Sequence, residues 1–531
     1  MTQILLYDTT LRDGTQREDI SLSCDDKLAI ALKLDQIGIH YIEAGWPGSN
    51  PKDAEFFQKV RNIGLKQAKV VAFGSTRRKH SRCETDKNLQ ALVAAGTPAV
   101  ALVGKSWDFQ VETILDTTLD ENLSMISESI AFMRSHGTET IFDAEHFFDG
   151  YKANPDYALA ALLAASESGA DFLALCDTNG GSLPWEIESI VKEVAARVPT
   201  RLGIHVHNDS GCAVANTLAA VRGGCVQVQG TINGYGERVG NADLTSIIPG
   251  LQLKMGYKVV SEEQLRGLTA ISRYVAEIAN LKHDRQQPYT GESAFAHKGG
   301  IHAAAVLKAA GSYQHIEPEL VGNAMRTVIS ELSGRGNLIT LCQNRGLEIS
   351  QEESERVLHL LKKLEHQGYA FDAAEASVDL LLHRARAGYA PPFELIDFTV
   401  LAQERRGRGS LSEATVKARI GQEEKLTAAE GSGPVDALSK ALHQALNQHY
   451  PQLDKIQLTD YKVRILNTDK GTAAITRVLI NFNDGERSWT TVGASSNIIE
   501  ASWRALSDSM EYALLGSAKP SLAWISASMP K

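Results

Sequence analysis

The sequence is poor in cysteine, with six in 531 residues at positions 24, 83, 176, 212, 225 and 342, and no two form a Cys-x-x-Cys pair. That scatter supports neither a disulfide framework nor a zinc knuckle, so a reducing cytoplasm is the expected compartment. Long apolar runs are missing too: nothing approaches the roughly 20 residues that span a bilayer. The start, Met1-Thr-Gln-Ile-Leu-Leu-Tyr-Asp8, lacks a basic stretch and a small-residue cleavage site, so no secretory leader is expected. Positive charge is not in excess, and the formal net charge of -10 argues against a chain that binds phosphate backbones. Neither nucleic acid nor membrane is therefore an expected partner. Gly234, Gly236 and Gly240 do not fit G-x-G-x-x-G and open no βαβ unit, which disfavours dinucleotide binding.

What is present is a long alternation. A chain of this length exceeds one core, so a large domain with one or two smaller ones is expected. Short β-rich runs at Ile4 to Tyr7, Tyr41 to Ala44, Val70 to Phe73, Val100 to Val103, Glu139 to Asp143, Phe172 to Cys176, Leu202 to Val206 and Val226 to Thr231 make eight candidate strands. Between them lie amphipathic helical stretches, Asp25 to Ile37, Asp86 to Ala95, Asn122 to Ser135, Asp156 to Ser168, Pro184 to Ala196 and Gly211 to Arg222. Eight strands alternating with helices over about 250 residues predict an α/β fold of the TIM (β/α)8 type rather than an open sheet.

A barrel places its chemistry at the C-terminal ends of its strands. The polar residues follow that rule: Arg12-Asp13 after the first strand, Glu43 at the second, Asp143-Ala-Glu145-His146 at the fifth, Asp177-Thr178-Asn179 after the sixth, and Glu237 to Asn241 after the eighth. At the seventh stands Leu202-Gly-Ile-His-Val-His-Asn-Asp209. Residues i and i+2 of a strand face the same side, so His205 and His207 can both project toward one ion. Taken alone, such a pair is more often structural. Joined to a carboxylate at the mouth of the same barrel, it predicts a metal site with positions left for substrate.

Beyond the barrel, Leu251 to Asn280 reads as helical and Asp284 to Gly291 as a linker; helical signals return at Ser333 to Leu364 and Phe371 to Ala387. After Pro391-Pro392, strands are expected at Phe393 to Leu401, Ala414 to Ile420, Asp460 to Leu466, Ala473 to Phe482 and Thr490 to Val492. Helices are expected at Pro434 to Asn447 and Asn497 to Leu515, with Ala428 to Gly433 as a flexible joint. The expected division is a barrel over 1–280, a small helical linker over 281–390, and an α+β domain with an internal pseudo-repeat over 391–531. The last is read either as a packing or dimerisation domain or as one that binds a small regulatory ligand.

Four runs, Asp8-Thr-Thr-Leu-Arg-Asp-Gly-Thr-Gln16, His205-Val-His207-Asn-Asp, Gly236-Glu-Arg-Val-Gly-Asn241 and Phe295-Ala-His-Lys-Gly-Gly-Ile-His302, together resemble the acyl-CoA Claisen-condensing enzymes. That family holds the 2-isopropylmalate, homocitrate and citramalate synthases, and the resemblance covers nearly the whole chain. Glu43-Ala-Gly-Trp-Pro-Gly-Ser-Asn-Pro-Lys-Asp53, Phe147-Phe-Asp-Gly-Tyr-Lys-Ala-Asn-Pro155 and Ser330-Glu-Leu-Ser-Gly-Arg335 are most similar to the citramalate branch. The isopropylmalate branch usually has Phe-Pro-Ala where this chain has Trp46-Pro-Gly48, and Gln-Asp where Ala303-Ala304 follow His302.

The resemblance implies condensation of acetyl-CoA with a 2-oxo acid, pyruvate in the citramalate branch and 2-oxoisovalerate in the isopropylmalate branch. A divalent ion (Mg²⁺ or Mn²⁺, with Zn²⁺ or Co²⁺ as alternatives) would be held by Asp13, His205 and His207, with Asn241 adding to or supporting the set. Arg12 would stabilise the developing alkoxide, Glu43 would orient Arg12, and Thr178 would bind the substrate carboxylate. Glu145 and His302 both match positions implicated in proton abstraction, and Tyr313 is a further catalytic match. The resemblance also implies a homodimer whose linker domain covers the partner's barrel, and a C-terminal feedback domain for a branched-chain amino acid, isoleucine in the citramalate branch. A metal-dependent hydroxyacyl-CoA lyase or aldolase is the reading from a different class; such lyases generally lack the long C-terminal domain.

Overall fold

The computed structural model describes residues 3–297, 302, 305–306, 309–327, 338, 342, 350–371, 374–405, 409–466, 471, 473–485 and 487–515. The chain forms two compact units: Met1–Phe295 with His315–Met325, and Ala296–Gln314 with Arg326–Lys531.

The first unit is built on a closed barrel of eight strands, β1 Leu5–Asp8, β2 Tyr41–Gly45, β3 Lys69–Ser75, β4 Ala99–Lys105, β5 Glu139–Glu145, β6 Phe172–Asp177, β7 Arg201–Val206 and β8 Gln227–Gly230, in sequence order. All neighbours are parallel, and β1 closes on β8 through Leu5 to Asp8 against Gln227 to Gly230. The strands are near-continuous apolar runs because both faces are covered. One face packs on the surrounding helices through a core that includes Leu6, Ile42, Leu102, Phe142, Leu173 and Ile204. The other lines the barrel, where Tyr7, Tyr41, Val71, Phe73, Ala99, Ala101, Ile141, Phe172 and Ala174 form an apolar cluster. Two residues further along the same faces stand Glu43 after Tyr41, Asp143 after Ile141 and Cys176 after Ala174. The period of two thus carries the barrel interior from an apolar floor to a polar mouth.

The helices follow local signals. Helix α1, Cys24–Gln36, starts at a capping box between Ser23 and Asp26, and helix α2, Pro51–Val60, starts at Asn50 with Pro51 in the first turn. α2 is absent from the expected helices, as are Asp108–Thr113 and Phe147–Ala153. The last two are short, six and seven residues, too brief for a periodic signal. The helix expected over Leu251 to Asn280 is broken: a π turn at Gly250–Lys254 ends before Gly256, which has φ +78°, and Ser261 then caps a new start at Glu262–Arg266, continued by Leu268–Ile278. The turn needs a left-handed residue, and that residue stops the helix.

The second unit contains the helices Gln351–His366 and Glu375–Ala385, and two three-stranded antiparallel sheets, each followed by a helix. The first sheet is Glu394–Arg405, Gly409–Ile420 and Glu423–Gly431, followed by Pro434–Asn447. The second is Gln457–Ile465, Thr476–Asn483 and Ser488–Ser495, followed by Ile498–Leu515. Each sheet has a register shift at the same place in its first strand, between Leu395 and Asp397 and between Leu458 and Asp460. The pseudo-repeat is therefore real down to its irregularity. The expected joint at Ala428 to Gly433 is instead mostly the end of an edge strand, whose charged side chains face solvent and conceal its alternation. One hydrophobic core, with Val416, Leu438 and Leu442 from the first repeat and Val478, Ile480 and Leu506 from the second, joins the two copies. Among the described residues no helix is long and apolar enough to cross a membrane.

Candidate active site

The turn after β1 is set by Asp8, whose buried carboxylate accepts from the Thr10 amide at 2.9 Å and the Thr10 hydroxyl at 2.8 Å. The amides of Arg12 and Gly14 both donate to the Thr9 carbonyl, and this tight loop presents Arg12 and Asp13 at the barrel mouth. Asp13 Oδ2 lies 3.2 Å from His205 Nε2 and 3.9 Å from His207 Nε2, and the two imidazole nitrogens are 3.3 Å apart. All three side chains are buried, and among the described residues they are the only group of histidines, cysteines and acids with ligand atoms converging within 4.8 Å. His207 stands one residue past β7, held by an isolated bridge to Asn241. The Asn241 amide nitrogen donates to Asp13 Oδ2 at 2.8 Å, whereas its Oδ1 is buried with no partner among the described residues. A Cβ on residue 236 would stand 1.9 Å from that Oδ1, so the loop needs Gly236.

Arg12 Nε donates to Glu43 Oε1 at 2.6 Å, and Tyr7 OH donates to Glu43 Oε2 at 2.5 Å. The guanidinium stacks over Phe73 at 4.0 Å and lies 3.7 Å from Asp13 Oδ1. Glu43 thus holds the cation beside the mouth. These charges set the protonation of the site. Burial opposes ionisation of Asp13, but the Arg12 charge and the His205 hydrogen bond outweigh it and hold the carboxyl far below the usual range. Burial, followed by the charge on His205, pushes His207 down to about 3. Burial also disfavours a charge on His205, yet Asp13 pulls its value up.

Thr178, after β6, accepts from the His146 amide at 2.9 Å through Oγ1, which leaves its hydroxyl proton free to donate. Its carbonyl accepts from Arg238, which also grips Asp209 with two bonds of 2.8 Å and so ties the loops after β6, β7 and β8 together. Glu145, the last residue of β5, pairs with Lys105, the last residue of β4. A cavity of about 640 Å³ opens over these groups, walled by Arg12, Asp13, Glu145, Thr178, His205 and His207, with Trp46, Phe73 and Val103 as its apolar side. Asp143, read at the end of β5 without a role, also lines it, as does Lys105, which is missing from the expected strand-end residues although it obeys the same rule. His302 and Tyr313 belong to the second unit, where both are exposed and their rings stack at 4.3 Å. Ala303-Ala304 and the run 330–335 lie outside the described residues.

Residues 3–275 match the model of the HMGL-like family. The chain belongs to the HMGL-like family. After this HMGL-like barrel, residues 289–369 match the homocitrate synthase post-HMGL domain-like family and residues 372–514 match the LeuA allosteric (dimerisation) domain. Its relatives include the (R)-citramalate synthase of Aquifex aeolicus, 52% identical over 97% of this chain and 98% of that protein. The (R)-citramalate synthase of Synechocystis sp. is 51% identical over 97% of this chain and 96% of its own length. A probable 2-isopropylmalate synthase of Methanopyrus kandleri is 31% identical over 95% of this chain and 97% of its own. Within the HMGL-like family the full-length likeness to the first two is much the stronger.

Proposed function

We propose that the chain condenses acetyl-CoA with pyruvate to give (R)-citramalate and coenzyme A, a step toward isoleucine. The observation that carries the reading is the buried Asp13, His205 and His207 cluster beside Arg12, in a chain about half identical from end to end to (R)-citramalate synthases.

The donor set suits a divalent cation: one carboxylate oxygen and two imidazole nitrogens converge, and Asn241 Oδ1, without a partner among the described residues, lies beside them. Such an ion, Mg²⁺ or Mn²⁺ first and Zn²⁺ or Co²⁺ as alternatives, would supply a Lewis acid for the carboxylate and ketone oxygens of a 2-oxo acid. The protein groups do the rest. Arg12, fixed by Glu43, offers a permanent cation where the ketone oxygen gains charge. Thr178 donates its hydroxyl to the substrate carboxylate. Glu145 and His302 are the two groups proposed to remove the methyl proton of acetyl-CoA, with Tyr313 orienting His302 through their stacked rings. Hydrolysis of the thioester then releases the product.

For the rest of the chain we propose a barrel domain over 1–280, a linker over 281–390 that reaches the partner's barrel in a homodimer, and a regulatory domain over 391–531 that binds isoleucine. Likeness of residues 372–514 to an allosteric dimerisation domain supports regulation and dimerisation. A cytoplasmic location is proposed from the scatter of six cysteines that form no Cys-x-x-Cys pair.

The test is direct. Purified protein incubated with acetyl-CoA, pyruvate and Mn²⁺ should form citramalate of (R) configuration on a chiral column, and absence of product, or the (S) acid, would contradict the reading. Substitution of the true base should abolish exchange of the acetyl-CoA methyl protons with deuterium oxide, so E145Q and H302Q assayed side by side identify it; exchange undiminished in both excludes both.

A further inference from the structure

Two buried side chains above the apolar floor of the barrel have no part in the chemistry just described. Gln229, on β8, is 0% exposed and Asp143, on β5, is 4% exposed. Uncharged amides and acids are costly to bury unless their hydrogen bonds are made, so their partners carry information. Gln229 Nε2 faces two acceptors, Asp143 Oδ1 at 3.2 Å and Gln227 Oε1 at 3.4 Å. Gly203, on β7, leaves the room for the second of these: a Cβ there would stand 2.8 Å from Gln227 Oε1. An amide whose nitrogen is held between two acceptors must turn its oxygen the other way. That oxygen, Gln229 Oε1, lies 3.0 Å from His205 Nδ1.

The consequence falls on the imidazole. An amide oxygen can only accept, so Nδ1 must carry the ring proton, and the lone pair of the neutral ring is left on Nε2. Nε2 is the atom that faces Asp13 Oδ2 and His207 Nε2. The bond to Asp143 survives whether or not that carboxyl carries a proton on its other oxygen. His207 is under no such constraint, since its Nδ1 is buried with no hydrogen-bond partner among the described residues. The two histidines of one strand are therefore held unequally.

We propose that Gln229 is a positioning residue that selects the ligand-ready tautomer of His205, and that Asp143 fixes the direction of the Gln229 amide. The inference rests on the reading of Asp13, His205 and His207 as a cation site. It predicts that a cation meets one ring already in its binding form, and that removing the amide weakens binding without emptying the site of ligands.

The experiment measures Mn²⁺ binding by calorimetry on the metal-stripped full-length chain, for wild type, Q229M and Q229E/D143N. Methionine keeps the volume and removes all three hydrogen bonds of the amide, to His205, Asp143 and Gln227. In the double variant the new carboxylate at 229 again accepts from His205 Nδ1, the new amide at 143 donates to it, and Gln227 can turn its amide to donate as well, so the bond to His205 returns unchanged and those to 143 and 227 return with their polarity reversed. Q229M should bind Mn²⁺ about 10–100-fold more weakly than wild type, and Q229E/D143N within about threefold of wild type. A purely structural role would lower the melting temperature of Q229M and leave Mn²⁺ binding unchanged, which overturns the proposal; so does a double variant as weak as Q229M. Wild type that binds no Mn²⁺ overturns the cation site itself, a separate result. Should Q229M not fold, ¹⁵N-histidine spectra of the Zn²⁺-loaded wild type, with His205 assigned by comparison with H205Q, answer the question alone: the proton should sit on Nδ1, and a proton on Nε2 overturns the proposal.

Discussion

Arg12 can be exchanged for lysine without loss of charge, and that makes it a sharp probe. The guanidinium donates to Glu43 at 2.6 Å while stacking on Phe73, a pair of contacts that an ammonium on a flexible stem does not reproduce. R12K should lower kcat by about 10²–10³-fold while leaving Mn²⁺ affinity within a few-fold, read by steady-state kinetics and calorimetry. Asp8 supplies a pH test outside the ligand set. Burial, against two hydrogen bonds from Thr10, raises its value to about 7 from an ordinary 3.8. A carboxyl raised in the folded state favours folding below the unfolded value and loses that contribution as pH rises through 7. D8N keeps the shape without the charge, so its stability and melting temperature relative to wild type should rise between pH 5 and pH 8, by at most about 3 kcal/mol in stability; a difference independent of pH would show that Asp8 does not titrate in this range. The converging residues are legible in the sequence because each has a positional signature, a His-x-His on a strand or an Arg-Asp just past one. Gln229 has none: one of two glutamines in the four-residue strand β8, it means nothing until its neighbours across the barrel are known.

Among the elements, the loop after β2 shows how a run of sequence acquires a job. The Glu43 to Asp53 stretch carries Trp46 to the wall of the cavity, and Asp53 holds it there by accepting from the Trp46 amide at 2.9 Å while pairing with the buried Lys27 of α1. Gly45, at φ +151°, is required because a Cβ would meet Asp53 Cγ at 2.3 Å. Removing one partner of a buried pair leaves the other uncompensated, so D53A should destabilise the barrel by about 3–5 kcal/mol in urea unfolding, and a loss below 1 kcal/mol would mean the pair is not structural. All eight strands can be read from alternation and length, to within a residue or two at most ends. The short helix at Phe147–Ala153 and the edge strand at Glu423–Gly431 cannot, the first because it has under two turns and the second because its polar face is nearly all the sequence displays.

The whole molecule joins a barrel that holds the Asp13, His205 and His207 cluster to a second unit whose repeats share one core. That core is not confined to the repeats: Val492 packs with Leu361, Phe371 and Val378 in a further cluster, and Ser377 Oγ accepts from the Val492 amide. A truncation near Pro391 would strip this cluster, so regulation is best tested on the intact chain. Isoleucine should inhibit thiol release more strongly than leucine at equal concentration, and light scattering should give twice the chain mass; a monomer, or leucine as the stronger inhibitor, would count against the proposed regulatory unit. The choice of substrate belongs to this scale too: one or two methylenes shift specificity by only about 1–3 kcal/mol each, and the apolar side of the cavity combines Trp46, just past β2, with Phe73 of β3 and Val103 of β4. The most direct measurement is therefore kcat/KM for coenzyme A release from acetyl-CoA with pyruvate, 2-oxoisovalerate and 2-oxoglutarate compared on one enzyme preparation. Pyruvate should be preferred by at least about tenfold over each of the others; a preference for 2-oxoisovalerate or 2-oxoglutarate would contradict the assignment.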